Sequence, residues 1–133
     1  MSFSDFMENT ILNEVFGGVN YAPVGTVYVA LYTTAPDDAG AGGTEVSGGA
    51  YARVAVTNNA TNWPAASGGA KSNGVAVTFP QATAAWGTVV AFAVFDAATG
   101  GNMIVSAALS ASKAVQTGDT PVFGVGDLKL SLS

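Results

Sequence analysis

Apolar and polar residues follow two different periods along this chain. In the first eighteen residues, Met7, Ile11 and Val15 recur at a spacing of four, with Leu12 and Phe16 beside them and Glu8, Asn9 and Asn13 facing away. That is the stripe of an amphipathic helix, and it predicts one over residues 4–16. Ser4 is placed to cap it, Asp5 and Glu8 sit in the first turn where the helix dipole favours anions, and Gly17-Gly18 ends it. So short a helix holds only if its stripe is packed on something, so Ile11 and Val15 are expected beneath a sheet.

From residue 19 onward the period is that of strands. Residues 26–32 (TVYVALY) and 88–95 (TVVAFAVF) are apolar on both faces and read as central strands. Residues 51–57 and 74–79 alternate, the second placing Val75, Val77 and Phe79 on one face. Residues 102–109 and 113–116 follow. At the end Leu128, Leu130 and Leu132 alternate with Lys129, Ser131 and Ser133, the clearest half-buried strand in the sequence. Between the strands lie turn signals: a long excursion at 35–43 (APDDAGAGG), then SGG, SGG, SNG and TGG. The expected architecture is all-β, a β-sandwich or jelly roll of about seven to eight strands with one short N-terminal helix. It should form one domain over 1–133, with 1–18 helical and 19–133 β.

Composition narrows the function. With 133 residues, roughly two-thirds of the chain's surface can be buried on folding. Charged residues are only 10% of the chain, against a norm of about 25%. A surface so neutral suits one covered by other subunits. There is no Cys and no His, which removes disulfides, thiolate metal sites and the commonest general base and metal ligand. Four Lys and Arg against nine Asp and Glu give a net charge of −5, too few cations for a nucleic-acid footprint. No apolar run reaches the length of a membrane span, and the acidic start at Asp5 and Glu8 does not read as a secretory signal.

Candidate chemistry is thin. Asp37-Asp38 lacks the alternating ligands of a calcium loop and reads as a solvated tip. Asp96, Asp119 and Asp127 could meet at one end of a sandwich around a cation, but turn aspartates are common. No pair of acids is singled out for glycosidase work, and no Ser or Thr has an activating neighbour. The expectation is therefore a non-enzymatic protein without cofactor or metal. Trp63, before Pro64 in a Gly- and Ala-rich loop, is the best candidate for an exposed aromatic anchor.

Three stretches, SFSDFMENTILNEVFGG, TVYVALYTTAPDDAGAGGTEVSGGAYARVAVT and FPQATAAWGTVVAFAVFDAATGGNMI, together resemble a family of small tailed-bacteriophage virion proteins, structural or tail-fibre-like. The resemblance covers almost the whole chain and implies a virion component with no catalytic motif. Two placements follow. The first is an outer-capsid cement or decoration protein, bound to the major capsid protein and to copies of itself as a dimer or trimer. Its uncharged, small-residue surface and net negative charge favour this role. The alternative is a tail, tail-fibre or baseplate component, with glycan binding in host attachment as one version. The gripping elements expected on either placement are the N-terminal segment with Phe3, Phe6 and Met7, the 35–49 excursion with Asp37 and Asp38, and Trp63. Many weak contacts would act together. Neither nucleic acid nor membrane is an expected partner.

Overall fold

A computed structural model describes residues 1–132. Its centre is a mixed-length antiparallel sheet in which β2 (Thr26–Thr34) pairs with β7 (Gly87–Phe95), and β7 with β8 (Met103–Val115). At one edge the two-residue β1 (Ser2–Phe3) pairs with β8. At the other, β3 (Thr44–Glu45) and β4 (Val54–Thr57) share the free side of β2 in tandem. Two small ribbons, β5 (Ala70–Ser72) with β10 (Lys129–Ser131) and β6 (Val77–Thr78) with β9 (Val122–Phe123), complete ten strands among the described residues. This is the anticipated all-β sandwich with one short helix, α1 (Asp5–Val15).

The long apolar runs are explained by burial on both sides of the sheet. On one face Val27, Val29 and Leu31 of β2 and Phe92 and Val94 of β7 join Val77, Phe79, Trp86 and Leu128 in the main core. The ribbons lid this face: Phe123 of β9 lies edge-on to Phe92, with centroids 5.7 Å apart, and to Phe79 at 6.1 Å. Each large side chain buried this completely contributes roughly 1.5–3 kcal/mol. The opposite face is built of Ala30, Ala91 and Ala93 with Tyr32, Phe95 and Met103. There the Tyr32 and Phe95 rings stack at 6.5 Å and the Arg53 guanidinium lies 3.7 Å over the Phe95 ring.

Residues 102–109 and 113–116, separate in the sequence pattern, form one strand with a break in register. Val89 faces Lys113 and Ala91 faces Ala108, so residues 109–112 stand opposite the single Val90. The chain's last alternation fades because β10 has only β5 as neighbour. Leu128 is fully buried, Leu130 partly buried and Leu132 exposed; Ser133 lies outside the described residues. Val75 is exposed rather than facing inward with Val77 and Phe79.

The helix departs most from expectation. Its start is fixed firmly: Ser4 is buried, its Oγ accepts the Met7 amide at 3.2 Å and donates to the Met103 carbonyl, and its own amide donates to Ile104 O at 2.9 Å. Its packing on the body falls on β8 and β1. Met7 is buried and Ile11 half-buried, but every residue from 12 to 20 is exposed. Val15, expected beneath the sheet, is 64% exposed. The start of α1 is tied to β8, and from Leu12 onward the helix runs clear of the body.

Candidate functional site

Two of the expected gripping elements, the N-terminal segment and the 35–49 excursion, are joined in space. Asp37 folds the loop on itself, its Oδ1 accepting the Ala41 amide at 2.9 Å while its own amide donates to Ala41 O at the same distance. Asp38 then ties that loop to the N-terminal segment: its Oδ1 accepts from Ser2 Oγ at 2.7 Å and its carbonyl from the Asp5 amide at 2.8 Å. Both aspartates are exposed; Asp37 stiffens the loop and Asp38 braces the start of α1. The 35–43 excursion is thus a structured support.

The predicted contact residues divide. Phe6 is 38% exposed and available to a partner. Met7 is buried, and Phe3 is half-buried against the main core. Trp63 is not the exposed anchor expected from its loop but a core residue, 7% exposed. It shares a crevice of about 220 Å³ with Phe3, Val94 and Leu130. The Trp63 amide donates to Asn59 O at 2.9 Å, which folds the 57–63 loop inward and carries the indole with it. The indole Nε1–H finds no acceptor there.

An apolar surface that includes Val15, expected in the interior, lies on the outer half of α1 and the turn after it. Leu12 (55% exposed), Val15, Phe16 (81% exposed) and Val19 form it. Gly18, at φ +66°, turns the chain so that the Val19 amide reaches Asn13 O at 3.1 Å, which holds Val19 beside the helix end. Glu8 lies one turn before Leu12 on the same face, Glu14 lies to one side of it, and no cation lies on the helix. Leu12 and Phe16 widen the apolar arc, but the sequence alone does not say which part of that arc is packed and which is left open.

A second open feature lies along β8. Beyond Ser106 its outer edge carries no strand among the described residues. Between that edge and the β9 ribbon runs a groove of about 720 Å³. Phe92, Ala111, Val122 and Phe123 line it, with Lys113 and Lys129 at its rim.

The remaining polar groups are structural. Glu45 holds Arg53 through a two-pronged contact, Nε to Oε2 and Nη2 to Oε1, each 2.9 Å. The Tyr51 hydroxyl donates to Glu45 Oε2 at 2.6 Å. Burial pulls the Glu45 carboxyl upward, but Arg53 and Tyr51 outweigh it and hold it below its ordinary value. Burial, reinforced by Glu45, pushes the Tyr51 hydroxyl well above its ordinary value. Asp96, Asp119 and Asp127 do not converge on a cation. Each caps its own turn, accepting the amides of Asn102, Gln116 and Gly124 respectively. Among the described residues no three His, Cys, Asp or Glu side chains are grouped to hold a metal ion, and no helix is long and apolar enough to cross a membrane.

A family model described as "Podophage GP4 fiber I protein gp80" matches residues 2–131, a span that runs from β1 through β10. A search of curated proteins found no match.

Proposed function

The chain belongs to this fibre-protein family, whose members are structural proteins of tailed-phage virions, and we propose that it is a subunit of a tail-associated fibre, held in place by its exposed helix end. The family match favours the fibre over the outer-capsid cement role, which rested on surface composition alone. The observation that carries the assembly role is the unpartnered apolar end of α1. An isolated helix shorter than about 12–15 residues is marginal in water. This one stands free beyond its first turns with a Phe and a Leu in solvent. Exposed aromatic and aliphatic residues of this kind are what subunit interfaces bury. The version with a glycan platform loses its footing, because Trp63 is buried and cannot stack on a sugar.

Gold-labelled antibody against the protein, applied to intact virions and viewed by electron microscopy, tests the placement. Label on fibres at the tail is the expected result. Label spread over the head shell would overturn it in favour of the cement role.

A further inference from the structure

We infer that the crevice between the main sheet and the β5–β10 ribbon is a binding site for a short aliphatic carboxylate. This goes beyond the fibre reading and does not depend on it. Three parts of the fold build the crevice. Phe3 of β1, Val94 of β7 and Ile104 of β8 come from the main sheet. Lys71 and Leu130, paired in register, come from the ribbon. The 57–63 loop folds inward and supplies Trp63. The space of about 220 Å³ is room for about seven waters at roughly 30 Å³ each. That exceeds what one bridging water fills and falls below the roughly 300–1,000 Å³ of pockets for larger ligands.

The walls are apolar, and the polar side chains among them offer donors in excess of acceptors. The Trp63 Nε1–H is buried without an acceptor, and an indole can only donate. Lys71 is half-buried, and its one hydrogen bond among the described residues goes to Trp63 O at 3.2 Å. Its ammonium carries three donors and a full charge. None of the chain's nine acids lines the crevice, and the one ion pair among the described residues is that of Arg53 with Glu45. Asn58, the other polar residue of the lining, has its Nδ2 taken by Val24 O at 2.9 Å. A buried donor without a partner and a cation held against apolar walls are both costly. Their complement is a tail of a few carbons, packed on Phe3, Val94 and Leu130, that ends in two acceptor oxygens and one negative charge. One oxygen would take the Trp63 N–H and the other the Lys71 ammonium.

Hexanoate is the probe, and hexylammonium is the control with the same tail, the opposite charge and no acceptor. The chain has two tryptophans, so its nitrogen–proton correlation spectrum carries two indole signals, and Trp63→Phe assigns them by removing one. Hexanoate titrated into the wild-type protein should move the Trp63 indole proton downfield to saturation. It should leave Trp86, already bonded to Gly49 O, in place. Hexylammonium should move neither. Lys71→Met keeps an apolar stem and should weaken hexanoate binding by about tenfold or more, the loss of a charge-assisted contact. Lys71→Arg, which keeps the charge, should retain binding and guards against a Lys71→Met protein that fails to fold. A Trp63 signal that hexanoate leaves unmoved, equal binding of hexylammonium, or undiminished affinity in a folded Lys71→Met protein would each overturn the site.

Discussion

The Tyr51 hydroxyl accepts the backbone amide of Leu31 at 3.1 Å and so fills a gap in the main sheet. Strand β2 is flanked on its outer edge by β4 along residues 26–29 and by β3 at Tyr32 and Thr34. Leu31 falls between them, with its carbonyl taken by the Val46 amide at 3.0 Å and its own amide left to Tyr51. The same hydroxyl donates to Glu45, which holds Arg53, which lies over Phe95. One side chain thus links the interrupted edge to both faces of the sheet.

Tyr51→Phe should therefore destabilise the fold by about 1–3 kcal/mol, the range for orphaning a buried donor. The ring contacts with Phe79 and Trp86 remain, so the loss falls on the hydroxyl alone. Urea unfolding of the two proteins measures it. A difference near zero would mean that Leu31 finds another acceptor.

The same cluster sets pH dependence at both extremes. The folded chain protonates Glu45 less readily than the unfolded chain does, its carboxyl lying below the ordinary 4.5. Its stabilisation is present above that value and is lost as pH falls through the folded value. Tyr51 has the opposite sign. Its folded pKa is raised above the ordinary 10.0, so its share is full below pH 10 and declines as pH rises beyond it. Melting temperature recorded against pH should fall at both ends. Glu45→Gln should flatten the acid limb and Tyr51→Phe the alkaline one.

The two tryptophans should answer differently to the same change. Trp86 Nε1 donates to Gly49 O at 2.8 Å, whereas Trp63 Nε1 is buried without a partner. Trp63→Phe removes an unsatisfied donor along with some packing; Trp86→Phe removes packing and a made hydrogen bond. Trp86→Phe should be the more destabilising by about 1–3 kcal/mol, read from denaturant midpoints. Equal losses would count against the difference in bonding.

Much of the scaffold was legible because central strands buried on both faces leave uninterrupted apolar runs, as in residues 26–32 and 88–95. The short strands β3, β5 and β9 were not, since two or three residues carry no periodicity. The bulge opposite Val90 looked like a break between strands for a related reason: extra residues disrupt alternation without ending the strand. At the candidate site, Ser4 and the helix span could be read from capping chemistry. The direction of the apolar stripe could not, because an identical pattern serves a helix packed on its own sheet and one offered to a neighbour. Trp63 failed for want of local signal: its burial depends on how the 57–63 loop folds back onto the core.

On the proposed assembly role, the free end of α1 is the surface that holds this protein in the virion. Phage grown without the wild-type copy and supplied with Leu12→Asp/Phe16→Asp protein measure it most directly, by the amount of the protein in purified particles. The expected result is a soluble, folded variant that is missing from the virions. Particles carrying the variant at wild-type occupancy would contradict it.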